Sequence, residues 1–265
     1  MAAPLARIAA ALLLVLTASC AASPRAATTA DPIPAARAQL APTGKLRVGL
    51  QNMITYSKDA KTGEFGGVAV EISRELARRL EVPFAPVEYA SATKMLASSG
   101  EWDIGFTAID PDRAEVVFTA AYMLVPNHYM VATDSRFRTN ADVDSIGVRI
   151  AAFRGQTNDL YLSRTLKAAT LVRADSRDAA FALYSSGQAD VFSGTRDGES
   201  DYITRAPANR ILPESFLDVS HAIALPKEHA AGLAFLAAFL NEVKASGLVA
   251  DAIGRAGLAS ERVAP

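Results

Sequence analysis

A formal charge of −1 over 265 residues, half of them apolar, allows sizeable cores and shows no bias toward a polyanion. Nucleic acid and an anionic membrane surface are therefore excluded as main partners. Beyond the N-terminal segment no run is apolar for long enough to span a bilayer, and a lone cysteine, Cys20, cannot form an internal disulfide.

In chain order, the first segment is a targeting signal rather than part of a fold. Arg7 supplies the positive charge, and Ile8–Leu16 is an uninterrupted apolar run of secretory length. Thr17-Ala18-Ser19-Cys20 follows and resembles a bacterial lipoprotein signal, in which the cysteine is acylated. Thr17 stands where that signal usually has leucine, and Leu16 comes one place early. Residues 1–20 are thus expected to be a signal peptide with Cys20 as the lipidation site, ordinary signal-peptide cleavage being the alternative. Residues 21–43 are rich in Ala, Pro, Ser and Thr, and are expected to be a flexible tether with no packed element.

The fold is expected to begin near Gly44, with a strand over 45–50 and a polar loop to Glu64. Val68, Ile72, Leu76 and Leu80 recur at i+4 and predict a helix over 67–80. Strands are expected at 84–89 and 103–106. Asp110-Pro111-Asp112-Arg113 reads as a helix start, with an Asp cap and proline in the first turn. A strand at 128–132 leads out of this first lobe. The second lobe, 133–221, is expected to hold strands near 148, 170 and 190 and helices opening near Thr157 and before Gly187. A return strand at 222–225 and apolar helices over 229–256 then complete the first lobe, 44–132 plus 222–260.

One motif occurs twice. Ser98-Ser99-Gly100-Glu101-Trp102-Asp103-Ile104 recurs as Ser185-Ser186-Gly187-Gln188-Ala189-Asp190-Val191. Each copy follows an apolar helical stretch, and each glycine sits where a helix C-cap belongs. Two similar α/β lobes place a cleft between them, beyond the C-terminal ends of their strands.

Specific segments carry a family resemblance. Lys45–Gly49, Thr62–Glu71, Trp102–Phe106, Asp112–Glu115 through Phe118–Tyr122, and Arg154–Thr157 stand in an order and spacing that resembles family 3 solute-binding proteins of ABC transporters. The resemblance covers 44–257. It implies an α/β, two-lobed periplasmic-binding-protein-like fold of type II, each lobe a sheet flanked by helices, joined by two hinge crossovers. It also implies a monomer that closes on a small solute, most often a polar amino acid, and delivers it to an inner-membrane permease. No cofactor is implied.

The same resemblance assigns site residues. Arg113 falls on the family's carboxylate-binding arginine; its position at a helix start beside free N–H groups suits an anion, with bidentate hydrogen bonding. An arginine paired with Asp110 or Glu115 is the plain alternative. Thr107 and Ala108 end the third strand where ligand-facing groups lie, with only the Ala108 N–H available from that residue. Thr157 falls on a position that touches the carboxylate from the second lobe, and Tyr56 and Met53 on lining positions. Thr195 stands where amino-acid binders have the acid that holds the α-ammonium, with Asp197 as a substitute if the loop is re-routed. A neutral threonine supplies no charge for that group. His128, His221 and His229 show no metal-ligand spacing, and there is no phosphate loop or Gly-x-Ser-x-Gly elbow. Asp197, Glu199 and Asp201 read as a solvated acidic loop. An enzyme resembling cyclohexadienyl dehydratase requires Asp197 or Glu199 to face the cleft with a raised pKa. A periplasmic sensory module is the third reading.

Overall fold

The chain enters its fold earlier than its composition suggests. The computed structural model describes residues 32–51 and 55–265, so the targeting signal, Cys20 and Met53 lie outside the described residues. Its first element is α1 (Pro32–Leu40), within the segment read as tether. Ala36 and Leu40 are buried in the core of the first lobe. Leu40 packs so closely on Gly232 that a side-chain carbon there would lie 2.5 Å from Leu40 Cδ2. Two buried apolar residues one turn apart were enough to fix a helix in an otherwise tether-like composition.

Next come β1 (Leu46–Gln51) and a short antiparallel pair, β2 (Ser57–Lys58) with β3 (Phe65–Gly66). They are followed by α2 (Val68–Arg79), β4 (Phe84–Tyr89), α3 (Ala92–Ala97) and β5 (Ile104–Ala108). Gly67 turns the chain into α2 at φ 91°. A side-chain carbon there would meet the Thr55 carbonyl at 2.8 Å, so glycine is required. Strand β1 pairs in parallel with β4 and β5, and its Leu46, Val48 and Leu50 are buried against the α2 stripe of Val68, Ile72 and Leu76.

The helix expected from Asp110 does not form. Asp110 Oδ1 accepts the Asp112 N–H (3.0 Å), the Arg113 N–H reaches the Asp110 carbonyl (3.1 Å), and β6 (Val116–Ala132) begins three residues later. The cap chemistry closes a tight turn, and the chain has no length left for a helix.

Strand β6 is the first crossover, 17 residues long. The second lobe follows: α4 (Asn140–Val143), β7 (Arg149–Phe153), α5 (Thr157–Thr165), β8 (Thr170–Ala174), α6 (Arg177–Ser185), β9 (Val191–Thr195), α7 (Arg196–Arg205) and β10 (Asn209–Ile211). The second crossover, β11 (Leu217–Pro226), runs antiparallel to β6 and then to β5. Helices α8 (Leu233–Ala245) and α9 (Leu248–Arg255) and strand β12 (Arg262–Val263) end the chain. Leu236, Phe239, Leu240, Val243 and Val249 join the first lobe's core, as the return strand predicts.

The strand order β4-β1-β5-β11-β6-β9-β7-β8 makes the crossovers the seam between two parallel groups. Residues 128–132, expected in the first lobe, belong to the second. Tyr129 and Val131 pack with Val148, Ile150 and Val191, and Met130 packs with Phe192 on the other face. Val219 packs in the first core, so the return crossing begins before residue 221.

The repeated motif has a structural cause. Asp103 accepts the Arg47 N–H (2.8 Å) and its guanidinium (2.6 Å), while Arg47 also reaches the Gly100 carbonyl. Asp190 does the same with Arg149 (2.9 and 2.8 Å), and Arg149 reaches the Gly187 carbonyl. Each aspartate ties the central strand of its lobe to the next parallel strand. The turns differ: Gly187 sits at φ 76°, but Gly100 lies within a short 3₁₀ turn, Ser99–Glu101, and is no C-cap.

Candidate functional site

A cavity of about 710 Å³, counted out to its mouth, lies where the strand ends of both lobes meet the crossovers. From the first lobe come Gln51 at the end of β1, Thr107 and Ala108 at the end of β5, and Arg113. The crossovers contribute Asn127, Val219 and His221. From the second lobe, Gln156 and Thr157 open α5, Arg177 opens α6, and Ser193 to Thr195 lead into α7. Phe153 and Phe192 supply apolar wall. Among the described residues, the lining contains no aspartate or glutamate.

Arg113 is buried, with 6% of its surface exposed. Its Nη1 donates to Thr107 Oγ1 (2.5 Å) and to the Ala108 carbonyl (2.6 Å), and its Nη2 approaches Thr157 Oγ1 across the cleft (3.4 Å). These acceptors are neutral. Asp110 does not neutralise it, because Arg164 of α5 holds that carboxylate at 3.1 Å and also pairs with Asp112 at 2.7 Å. Burial lowers the Arg113 pKa, while the more distant Asp110 and Glu115 partly offset this. The result is a desolvated guanidinium without a counter-ion among the described residues, a state costing several kcal/mol unless an anion joins it. The Ala108 carbonyl thus helps to position the arginine.

Thr107 Oγ1 also accepts from Gln51 Nε2 (2.9 Å), which leaves Gln51 Oε1 buried without a partner. His221 Nδ1 is likewise buried and unpartnered. Burial, reinforced by the nearby Arg113 charge, pushes the imidazole down to about 3, so it is neutral in the cell's pH range. Gln51 Oε1 and His221 Nδ1 therefore stand as neutral polar atoms without a protein partner at the cavity that Arg113 lines.

The remaining expected residues separate. Thr157 lines the cavity as the first residue of α5, whose cap is Gln156. Thr195 lines it too and caps α7, accepting the Gly198 N–H (3.3 Å). Asp197 lies in the first turn of α7 and accepts from the Ser260 N–H (3.4 Å); it is not part of the lining. Tyr56 stacks on Phe65 (centroids 6.4 Å apart) and packs on the first core, outside the lining. The supposed acidic loop is helix α7. Glu199 within it is fully buried behind Gly194, and burial holds its carboxyl well above the usual range. Neither acid that an enzyme reading needs faces the cavity.

Gln51, Asn127, Asn158, Arg177, Ser193 and His221 were not singled out from sequence. Gln51 ends a parallel strand, and Asn158 follows a helix opening, which are the places where α/β ligand sites form. His221 marks a polar break in an apolar strand at the lobe boundary. No comparable signal distinguishes Arg177 from other surface arginines.

Residues 46–255 match the model for bacterial extracellular solute-binding proteins, family 3. The chain belongs to that family. It is accordingly a binding protein rather than an enzyme. Among solved structures, the P235GK mutant of ArgBP from T. maritima is 25% identical, with a TM-score of 0.69 over 83% of this chain and 98% of that one. A putative binding component of an ABC transporter from Wolinella succinogenes DSM 1740, complexed with lysine, is 23% identical (TM-score 0.70, 80% and 95% covered). The ancestral amino acid-binding protein AncCDT-1, a precursor of cyclohexadienyl dehydratase, is 21% identical (TM-score 0.67, 81% and 95% covered). No curated protein matches the chain. These likenesses agree with the two-lobed fold.

Proposed function

We propose that this family 3 protein captures a carboxylate-bearing solute on Arg113 and carries it to an inner-membrane ABC permease. The observation that supports this most is the buried guanidinium whose protein partners are all neutral. A ligand carboxylate completes its fork with two parallel charge-assisted bonds. Thr157 from the second lobe closes over the same group, so binding favours the closed arrangement by its differential affinity for it. Thr107, Ala108 and Thr195 complete the first contacts.

ArgBP of T. maritima has been solved with arginine bound. For an α-ammonium, the present cavity offers Gln51 Oε1, His221 Nδ1 and the Thr195 hydroxyl, none of which carries charge. The ligand's carboxylate therefore contributes more to affinity than any amine. Arg113→Ala leaves the ligand charge unpaired, a loss of about 3–5 kcal/mol, or on the order of a hundredfold or more in Kd. Calorimetry on the best ligand from a thermal-shift screen of amino acids and organic acids tests it; unchanged affinity in Arg113→Ala sinks the assignment.

Export is part of the same reading, with Cys20 acylated and the mature protein held at a membrane by that lipid. Cys20→Ser is then expected to move the protein from the membrane fraction to the soluble periplasm. A variant that stays membrane-bound with unaltered mass removes the anchor.

A further inference from the structure

We infer that Asp197 of α7 and Glu261, in the segment after α9, hold one proton between them and form a pH-sensitive tie between the two lobes. Helix α7 opens directly after β9 and belongs to the second lobe. The segment after α9 belongs to the first. Leu258 and Val263 pack on the first core, and Arg262 and Val263 pair with Leu124 and Met123 of β6, just before that crossover enters the second lobe. The two segments touch where the Ser260 N–H reaches Asp197 Oδ2 (3.4 Å), and the Glu261 carboxyl hydrogen-bonds to Asp197 beside it.

Two carboxyl groups can share a hydrogen bond only while one of them keeps its proton. Position decides which. Asp197 stands in the first turn of α7, where free N–H groups favour an anion, and it takes the Ser260 N–H as well. Glu261 is 7% exposed, and both its oxygens are buried without a donor in bonding geometry. The cations of the neighbouring elements are engaged elsewhere. Arg262 is held by Asp218 of β11, Arg255 of α9 by Glu71, and Arg196 of α7 acts on Glu199 and on His128 of β6. Burial first, then the hydrogen bond and charge of Asp197, push the Glu261 carboxyl up to about 8. Burial works against Asp197 too, but the bonds from Glu261 and Ser260 outweigh it and hold that carboxyl below its ordinary range. Once pH rises far enough to ionise Glu261, two adjoining carboxylates repel each other with little water between them, and the tie is lost. Thr195, the cap of α7, lines the cavity, so the pair acts on the binding wall from outside it.

The test is carbon-13 carboxyl NMR on the purified protein without added solute, from about pH 5 to 9.5, with the Leu258 and Val263 methyl signals followed in the same samples. Glu261 is expected to titrate near pH 8, far above the roughly pH 4.3 of an ordinary glutamate, and both methyl signals are expected to shift with that midpoint. Glu261→Gln keeps a donor toward Asp197 but cannot ionise, so its methyl signals are expected to stay in place over the same range. In Asp197→Asn, Glu261 is expected to titrate at lower pH than in wild type. Thermal melts establish that both variants fold. Titration of Glu261 in the ordinary range, or methyl signals that move identically in wild type and Glu261→Gln, overturns the proposal. Neither result touches Arg113, so the proposed solute reading stands or falls on its own experiment.

Discussion

Arg113 and Glu199 present opposite electrostatic problems a few residues from the same cavity. Arg113 keeps its charge because a guanidinium stays protonated even where burial lowers its pKa; Glu199, sealed behind Gly194, has neither solvent nor a cation in contact. Burial raises its pKa, so the folded state retains a proton that the unfolded chain releases near pH 4.3. Its contribution to stability is full below that pH and is lost as pH rises through the folded value. Glu199→Gln removes the titration, so its stability is expected to exceed that of wild type increasingly from about pH 5 upward. Parallel stability–pH curves in urea denaturation would contradict this. Arg113 could be found because its neighbours Asp112, Ala114 and Glu115 stand in a recognisable order. Glu199 could not, because nothing local distinguishes it from Asp197 or Asp201; only the packing of α7 under β9 puts it inside.

The repeated Ser-Ser-Gly motif belongs to the scale of elements and explains how both lobes hold their parallel strands together. Asp103 is wholly buried in its side chain, while Asp190 is 35% exposed. Removing the first strands the largely buried Arg47 guanidinium and the Arg47 backbone N–H. Asp103→Ala is therefore expected to cost about 3–5 kcal/mol, and Asp190→Ala clearly less, because water replaces part of what is lost. Equilibrium unfolding of the two variants decides, and equal losses would show that burial is not what sets the cost. Regular elements with strong periodicity, such as α2 and β1, were readable in advance. Two others were not. Helix α1 has only two buried residues to announce it, and the Asp110–Arg113 segment carries helix-start residues but uses them to close a turn before β6.

Across the whole molecule, the crossovers β6 and β11 allow the lobes to move as bodies about a shared seam. Arg164 of the second lobe pairs with Asp110 and Asp112 of the first, beside the turn that presents Arg113. That pairing joins the two lobes and occupies the Asp110 carboxylate, whose charge otherwise acts on Arg113. Two lobes and a cleft between them could be read from the repeat and the order of motifs. The cleft's electrostatic character could not, because it depends on which side chains three separate helix starts bring to one wall. On the proposed reading, this cleft selects its ligand by a carboxylate and treats an amine as a neutral contact. Calorimetry on the best screened ligand, its decarboxylated analogue and its deaminated analogue tests it most directly. Decarboxylation is expected to weaken binding on the order of a hundredfold or more, and deamination far less; an equal loss from both would contradict the account.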